Sequence, residues 1–433
     1  MCLDTCHRHK TKPKPKTPSP APSTTTRPLN ILLTNGRFPA TIDLARQLHL
    51  AHHTITVVDP MHYHVCRFSR SVHKSIHVPA PHVDPSGYIA AVSSAVSSEN
   101  IDLIIPMHEE IFYLAACNDQ AILQRLFAPP LEPLIALHNK WEFTRLLTRA
   151  GLAAPKTWLC RSRADVEKLD RTMALALKPV FGRACAGVYK LTPGKPIPAG
   201  LDVREDNHYV AQEWLVGRRL CSYAVVRAGR VRAFAVYPVE DTIDGSSAVS
   251  FVSVEHRGVR EYVEGLVRVL GEVDGQVALD LVDVEGRGVV AIECNPRATS
   301  GIHLFSRTRA LAEALVGDGD GVWEARPGAR RQLMPGMLMW DRSGGYLAHM
   351  KRLMGSKDVL FSTRDLMPSL MQPFLLTSYY KICQERKMKL PEMFQWDLTW
   401  EPEGEELARV RKRVDGFVDG FVERGAAVDS VEA

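Results

Sequence analysis

The spacing of apolar residues changes along this chain. In the N-terminal part of the sequence, this spacing favours a sheet covered by helices. Apolar runs over residues 31–34, 54–59 and 101–106 predict short strands, with helical stretches between them. Strands and helices that alternate in this way usually form a parallel sheet. Residues 29–130 are therefore predicted to form a small parallel α/β domain.

The next part mixes helices with antiparallel strands. A helix is predicted from its cap at Asn139 to Gly151, which places Lys140 in the first turn. Alternating apolar residues predict strands at 173–180 and 208–217, a hairpin over 220–236, and a helix over 259–270. This arrangement indicates an α+β domain.

A lysine and a glycine-containing loop follow the first of these strands. Lys178 ends an apolar strand, where a lysine needs an anion as partner, and the loop 181–188 comes next. Gly182 and Gly187 would let backbone N–H groups approach phosphates closely. Taken alone, the segment fits a phosphate-binding loop and an ordinary hairpin loop equally well.

The most informative segment, residues 276–297, is predicted to form a hairpin with acidic residues on one face. A two-residue turn between Glu285 and Gly288 makes these two a pair and, counting outward, pairs Asp280 with Glu293. Opposite residues of a hairpin share a face, so the two carboxylates repel each other unless a cation joins them.

Asn295 lies on the same face as Glu293, so three oxygen ligands converge within about 5–7 Å of one another. Hard oxygen ligands on a rigid hairpin suit Mg²⁺, and Arg297 just beyond them offers a fork for phosphate oxygens. A Mg-nucleotide site is therefore predicted here. The alternative is an ordinary hairpin with a polar, exposed face.

Composition and charge narrow the class of protein. The chain has 433 residues, of which 45% are hydrophobic and 24% charged, and should divide into two or more domains. Residues 1–28 hold six basic residues against one acidic residue, which accounts for the whole net charge of +5. The folded body is close to neutral, which argues against a nucleic-acid-binding face. The Pro-, Ser- and Thr-rich leader 1–28 is predicted to be disordered, and it lacks the apolar stretch of a secretory signal.

Cysteines, histidines and apolar stretches add three expectations. The nine cysteines lack framework spacing, which indicates reduced thiols and a cytoplasmic location. Eight of the sixteen histidines lie between His49 and His82 without a regular ligand spacing, so we expect surface or loop residues there. The longest uncharged stretch of the C-terminal region, residues 366–380, is too short and contains two prolines, so no membrane span is predicted.

A nicotinamide oxidoreductase is one alternative for the N-terminal domain. Its first loop carries a single glycine, Gly36, whereas the dinucleotide fingerprint needs three at fixed offsets. Asp59 at the end of the second strand does not replace them. This alternative is disfavoured.

In their order along the chain, these motifs resemble those of the ATP-grasp superfamily, and the resemblance covers about residues 30–310. The family has a lysine on a helix, a second lysine before a mobile glycine-rich loop, an adenine hinge similar to residues 212–217, and a metal hairpin similar to the segment ending at 292–301. The resemblance implies a Rossmann-like pre-ATP-grasp domain over 29–130. It also implies an ATP-grasp domain of two α+β subdomains over 131–310, so that the fold class is α/β plus α+β.

The resemblance also implies a role for each motif. ATP phosphates would be bound by Lys140, Lys178 and the loop glycines Gly182 and Gly187, and adenine by backbone groups of Glu213 and Leu215. Mg²⁺, or Mn²⁺ in its place, would be held by Asp280, Glu293 and Asn295. Arg297 and Lys178 would neutralise the transferring phosphoryl group, and an acceptor carboxylate would dock near Arg297, Ser300, Gly301 and His303. Two departures from the family are Arg218-Arg219, where an acidic ribose contact is common, and Cys185-Ala186 in place of further loop glycines.

The implied reaction is ATP-dependent ligation of a small-molecule carboxylate to an amine through an acyl phosphate, with release of ADP and phosphate. The stand-alone layout is similar to ligases of microbial and fungal specialised metabolism. A non-catalytic ATP-binding regulatory protein and a ligase that activates an enolised ketone are the alternatives. Residues 311–433 are expected to form a substrate cap or a homodimer interface.

Overall fold

The computed structural model describes residues 27–182, 187–240, 242–243, 247–333, 346–402 and 404–429. The predicted leader, residues 1–28, falls almost entirely outside these ranges. The centre of the predicted phosphate loop, residues 183–186, also lies outside them.

The N-terminal part forms the predicted parallel sheet with helices. Its four strands pair in parallel in the order β3-β2-β1-β4. Its elements are β1 (Asn30–Thr34), α1 (Pro39–Leu50), β2 (Thr54–Asp59), β3 (Lys74–His77), α2 (Pro85–Ser98), β4 (Leu103–Ile105) and α3 (Glu110–Ala116). The third strand lies in the histidine-rich region, whose polar sequence concealed it.

Two short helices and the predicted Lys140 helix connect this sheet to a small antiparallel sheet. The small sheet has the order β5-β8-β6-β7 and encloses an apolar core of its own. The elements are α4 (Gln120–Leu123), α5 (Leu131–His138), α6 (Lys140–Arg149), β5 (Thr157–Cys160), α7 (Arg163–Glu167), β6 (Leu175–Pro179), β7 (Tyr189–Leu191) and β8 (Tyr209–Glu213).

A larger sheet in the order β15-β14-β9-β10-β16 carries the predicted metal hairpin. Its elements and neighbours are β9 (Arg218–Arg227), β10 (Arg230–Pro238), β11 (Thr242–Ile243), β12 (Ser247–Ala248), β13 (Ser250–Val252), α8 (Arg257–Leu270), β14 (Gly275–Val284), β15 (Gly288–Asn295), α9 (Ala310–Val316) and β16 (Trp323–Glu324). The apolar stripe of α8 is buried against this sheet together with α6, as its 3.6-residue spacing predicts. The α/β plus α+β class is thereby confirmed.

The remaining chain runs back over the N-terminal sheet. It comprises β17 (Arg330–Gln332), α10 (Tyr346–Gly355), β18 (Lys357–Asp358), α11 (Met367–Leu370), α12 (Gln372–Arg386), α13 (Leu390–Met393) and α14 (Gly404–Asp429). Leu375 and Tyr379 of α12 join the same apolar core as α1 and β2. Val410 and Val414 of α14 pack with residues of α3 and α5. The C-terminal segment therefore shares cores with the N-terminal half of the chain.

A buried charge cluster, the Arg37 cluster, ties this segment to the parallel sheet. The guanidinium of Arg37 lies 2.7 Å from Asp59 Oδ1 and 2.7 Å from Asp397 Oδ1, and the side chains of Arg37 and Asp59 are fully buried. Burial acts to raise the pKa of Asp59, but the Arg37 charge, the nearby His64 and hydrogen bonds from Arg37 and the Met61 N–H together lower it below its ordinary value. Because Asp59 is committed to Arg37, the acid that a dinucleotide site would use for ribose is already paired.

Candidate active site

The hairpin formed by β14 and β15 places Asp280 directly opposite Glu293, as predicted. These two residues are called the acidic pair below. Burial, followed by the charge of Glu293, raises the pKa of Asp280, while Lys178 acts in the opposite direction. Asp280 keeps some exposure to solvent, and the Glu293 side chain is 22% exposed. The two carboxylates are therefore close enough to repel each other and remain accessible to a cation.

The predicted turn of this hairpin is wrong, although the predicted acidic pair is correct. Val284, not Glu285, pairs with Gly288, so the turn has three residues instead of two. A β-bulge then leaves Ile292 without a direct partner and shifts the register back by one residue. The two deviations cancel before the strands reach the acidic pair.

Asp280 also has a neighbour that sequence reasoning missed. Cys221 lies opposite Asp280 on β9, and its Sγ lies 2.9 Å from Asp280 Oδ1 as a hydrogen-bond donor. Burial and the Asp280 charge raise the pKa of the Cys221 thiol well above its ordinary value, so the sulfur keeps its proton. The thiol therefore orients one carboxylate oxygen of the acidic pair.

Lys140 stands at the start of α6, where the predicted cap is confirmed. Asn139 Oδ1 accepts hydrogen bonds from the backbone N–H groups of Trp141 and Glu142, both at 3.0 Å. The Lys140 side chain is 3% exposed, and its Nζ lies 3.6 Å from Glu293 Oε1. The same Nζ donates to the backbone oxygen of Gly182 at 2.6 Å. Lys140 thus joins the loop that follows β6 to the acidic pair.

Lys178 lies on β6, as predicted, and its side chain is buried. Its Nζ donates to Gln212 Oε1 at 2.9 Å across the small sheet. Gln212 is a second contact that the sequence did not reveal. Beyond Lys178, Gly187 has a φ of +66° and approaches the Pro179 ring, so a side chain there would be strained. Gly182 packs beside the same ring.

The segment predicted as an adenine hinge follows β8 and is fixed from two sides. Glu213 Oε1 accepts hydrogen bonds from the Lys156 backbone N–H at 3.0 Å and from Arg287 Nη1 at 2.5 Å. Arg287 comes from the turn of the metal hairpin, so the hinge is tied to that hairpin. Leu215 is half-buried next to the exposed Trp214 ring. Within the described part of the chain, the Leu215 N–H has no hydrogen-bond acceptor.

Asn295 and Arg297 lie together at the end of the hairpin. Arg297 Nη2 lies 3.2 Å from Asn295 Oδ1, and Nη1 lies 3.3 Å from the Ala298 backbone oxygen. The Arg297 Nε atom is buried and has no hydrogen-bond partner among the described residues. A buried donor without an acceptor is costly, so this guanidinium suits an incoming anion.

The remaining predicted site residues lie in the 3₁₀ turn Ser300–Phe305. Ser300 is half-buried near Arg297, whereas Gly301 packs against the Tyr223 side chain, where a Cβ would come within 2.2 Å. His303 is buried, and its Nδ1 lies 2.9 Å from Asp43 Oδ2 on α1. Ser300 stays a predicted site residue, while Gly301 and His303 are engaged in packing and in a contact with the N-terminal domain.

Residues 137–301 match the family model of the ATP-grasp domain. This chain carries an ATP-grasp domain. The match begins just before Lys140 and ends at Gly301, so it contains both lysines, the acidic pair and Arg297. The predicted ATP-grasp resemblance is confirmed.

Solved structures share this ATP-grasp architecture. L-amino acid ligase from Bacillus licheniformis is 17% identical, with a TM-score of 0.56 over 71% of this chain and 79% of that chain. N5-carboxyaminoimidazole synthetase from Staphylococcus aureus, complexed with ADP, is 15% identical, with a TM-score of 0.55 over 70% and 80%. Biotin carboxylase from Campylobacter jejuni, as a β-γ-ATP complex, is 14% identical, with a TM-score of 0.55 over 70% and 74%. At these identities the likeness shows the fold. No curated protein matches the sequence.

Two negative findings apply to the described residues. No group of three His, Cys, Asp or Glu side chains among them could hold a metal ion, so a cation at the hairpin would depend on the acidic pair, Asn295 and oxygens of a bound nucleotide. None of the helices in those same ranges combines the length and apolar character needed to cross a lipid bilayer.

Proposed function

We propose that this protein is an ATP-dependent ligase that activates a carboxylate as an acyl phosphate and joins it to an amine. The observation that carries the proposal is the convergence of Lys140, the acidic pair and Arg297 at one end of the ATP-grasp hairpin. Cations and carboxylates arranged together in this way suit a phosphoryl group with its metal ion.

The nucleotide would lie between the two sheets of the ATP-grasp domain. The Leu215 N–H, which has no acceptor among the described residues, and the backbone of Glu213 suit the polar edge of adenine, and Arg287 keeps this segment in place. Lys140 and Lys178 approach from opposite elements and would pair with the phosphates. The family assignment supports this placement, since the ADP and β-γ-ATP complexes belong to proteins of the same fold.

The oxygen ligands present fit Mg²⁺ or Mn²⁺. Asp280 and Glu293 supply carboxylate oxygens and Asn295 an amide oxygen, which are hard ligands of the type that these ions prefer. When held by these three residues, the ion would supply positive charge that stabilises the transferring phosphoryl group. Burial and the charge of Glu293 raise the pKa of Asp280, so a cation beside the two carboxylates would favour their charged forms.

The chemistry balances without a covalent enzyme intermediate. An oxygen of the acceptor carboxylate attacks the γ-phosphorus of ATP, the bond to the β–γ bridging oxygen breaks, and ADP leaves. The amine then attacks the acyl carbon, phosphate departs, and the amine nitrogen loses a proton to solvent. Lys178 and Arg297 would stabilise the negative charge, and no general base is assigned. Closure of the loop 181–188 would exclude water.

Names of related structures support the choice of a C–N ligase. One neighbour is called an L-amino acid ligase and another an N5-carboxyaminoimidazole synthetase, and both names describe the joining of small molecules. Small-molecule carboxylates and amines are therefore the proposed substrates. A role in specialised metabolism belongs to the same proposal and rests on the stand-alone layout of the chain.

A turnover assay tests the proposal. Full-length protein is incubated with ATP, Mg²⁺, pooled carboxylates and hydroxylamine, and ADP, AMP and hydroxamate are quantified. Hydroxamate formed together with ADP supports an acyl phosphate. AMP with pyrophosphate overturns the mechanism, ADP without hydroxamate favours an enolised ketone, and ATP binding without turnover favours the regulatory alternative. A Glu293→Gln variant is the negative control.

Location and assembly complete the proposal. Within the described residues Cys66, Cys160 and Cys294 are free thiols, which supports the proposed cytoplasmic location. A homodimer through residues 311–433 stays a prediction, supported by exposed apolar side chains such as Leu370. The proposed boundary at residue 130 falls between the parallel sheet and the small antiparallel sheet, whereas β16 continues the larger sheet beyond the proposed boundary at residue 310.

A further inference from the structure

A second cavity, the amino-edge cavity, lies far along the chain from the hairpin that would bind ATP. It has a volume of about 920 Å³ and opens where strands β2 and β3 begin, at the amino edge of the parallel sheet. Four segments line it: residues 43–55, 70–73, 306–309 and 358–365. The volume falls in the range of small-molecule sites, about 300–1,000 Å³.

The acidic residues that line this cavity are already engaged. Asp365 accepts hydrogen bonds from Arg46 Nε at 2.8 Å and Ser69 Oγ at 2.6 Å. Asp43 contacts His303, and Asp358 accepts a hydrogen bond from the Phe361 N–H. The carboxylates therefore serve to hold the walls of the cavity together.

Apart from Arg46, which pairs with Asp365, the arginines that line the cavity lack such partners among the described residues. Four exposed arginines from three of the four segments line it, and none of their guanidinium groups pairs with a carboxylate among the residues that the structure describes: Arg70, Arg307, Arg309 and Arg364. Their recorded contacts are weak or neutral. Arg70 and Arg307 reach backbone oxygens at 3.3 Å, and Arg309 Nη2 lies 3.2 Å from His52 Nε2.

The backbone adds an independent indication. Arg307 has a φ of +67°, a left-handed conformation that is uncommon for residues other than glycine. Unusual backbone conformations tend to occur at ligand sites. Arg307 also follows directly after Ser306, which hydrogen-bonds Asp43, so its direction is set by the wall of the cavity.

We propose that the amino-edge cavity binds a small polyanion, a molecule carrying two or more phosphoryl or carboxylate groups. Four like charges around one cavity repel one another, and an anion that accepts several guanidinium hydrogen bonds would remove this repulsion. Planar arginine forks match both phosphate and carboxylate geometry. The proposal concerns a site separate from the acidic pair and does not depend on the proposed ligase activity.

Isothermal titration of the full chain with inorganic triphosphate, and separately with citrate, tests the proposal and distinguishes the two anion types. The metal-free buffer is kept near 0.15 M ionic strength, because salt at this level screens exposed charges beyond about 8 Å. The test variant is Arg70→Gln/Arg309→Gln/Arg364→Gln. The matched control, Arg230→Gln/Arg257→Gln/Arg326→Gln, removes the same charge from exposed positions elsewhere. A Lys140→Met variant reports binding at the ATP site.

We expect at least one probe to bind the wild type, the control variant and Lys140→Met with the same affinity. The affinity of the test variant for that probe should be at least about tenfold lower. If triphosphate binds and citrate does not, the ligand is a phosphorylated compound, and the reverse outcome indicates a polycarboxylate. Arg364→Gln alone replaces the test variant if the triple substitution unfolds. The proposal is overturned if neither probe binds the wild type, or if the control variant loses as much affinity as the test variant. It is also overturned if the test variant binds as tightly as the wild type.

Discussion

The Arg37 cluster gives a prediction in which the charges left behind set the size of the effect. Arg37→Met would leave the carboxylates of Asp59 and Asp397 together in the interior, where their side chains are 0% and 5% exposed. Breaking a buried pair costs about 3–5 kcal/mol because an uncompensated charge remains. With two carboxylates stranded, we expect the upper end of that range, about 5 kcal/mol.

Asp397→Asn should lower the free energy of unfolding much less than Arg37→Met does. It leaves Arg37 paired with Asp59, which Arg37 contacts through its backbone N–H at 2.9 Å as well as its guanidinium. The free energy of unfolding should then fall only by the contribution of the lost charge-assisted hydrogen bonds, about 1.5–3 kcal/mol. The triple variant Arg37→Met/Asp59→Asn/Asp397→Asn removes all three charges and should recover most of the stability lost in Arg37→Met.

Urea unfolding at pH 7, followed by tryptophan fluorescence of the full chain, measures these differences. The expected order of stability is wild type, then Asp397→Asn, then Arg37→Met, with the triple variant above Arg37→Met. Equal stability of Asp397→Asn and Arg37→Met, or a triple variant no more stable than Arg37→Met, would refute the reasoning that stranded charge determines the cost.

Three further predictions concern the ATP-grasp domain. Gly301→Ala should lower the free energy of unfolding by about 1–3 kcal/mol, because its Cβ would meet Tyr223; an unchanged thermal midpoint would contradict this. Burial raises the pKa of Glu142 to about 7, above its ordinary 4.5, so the stability it contributes below pH 4.5 is lost as pH rises to about 7. Glu142→Gln should therefore remove about 3 kcal/mol of pH dependence between pH 4 and 8 in urea unfolding, and a variant with the wild-type slope would contradict this. Arg287→Met should weaken ATP binding about threefold by freeing Glu213; ATP binding as tight as that of the wild type in calorimetry would be inconsistent with this contact supporting the hinge.

Local sequence signals account for much of the ATP-grasp domain. The helix that carries Lys140 follows from its Asn139 cap and the glycine at its end, since capping depends on neighbouring residues alone. The acidic pair was also predicted correctly, although by a two-residue turn that the structure lacks. A bulge such as that at Ile292 gives no local signal, because an apolar residue at this place in a strand also fits regular pairing.

Contacts between distant segments could not be predicted in this way. Cys221, Gln212 and Arg287 reach the site because β9, β8 and the hairpin turn become neighbours in the sheets, and pairing of separate strands depends on the whole fold. The partner of Arg37 lies 360 residues away at Asp397. His303 illustrates the converse, since its position beside Arg297 in the sequence suggested a substrate contact, whereas its ring contacts Asp43 of α1.

The central claim is that the acidic pair binds ATP together with a divalent cation, and Mg²⁺-dependent ATP binding tests it most directly. Calorimetry compares the wild type with Glu293→Gln and with Glu285→Gln, a control that removes an exposed acid from the same hairpin. We expect the wild type and Glu285→Gln to bind ATP with the same Mg²⁺ dependence, and Glu293→Gln to bind ATP more than about tenfold more weakly. Binding by Glu293→Gln equal to that of Glu285→Gln would show that the acidic pair does not hold the cation with ATP.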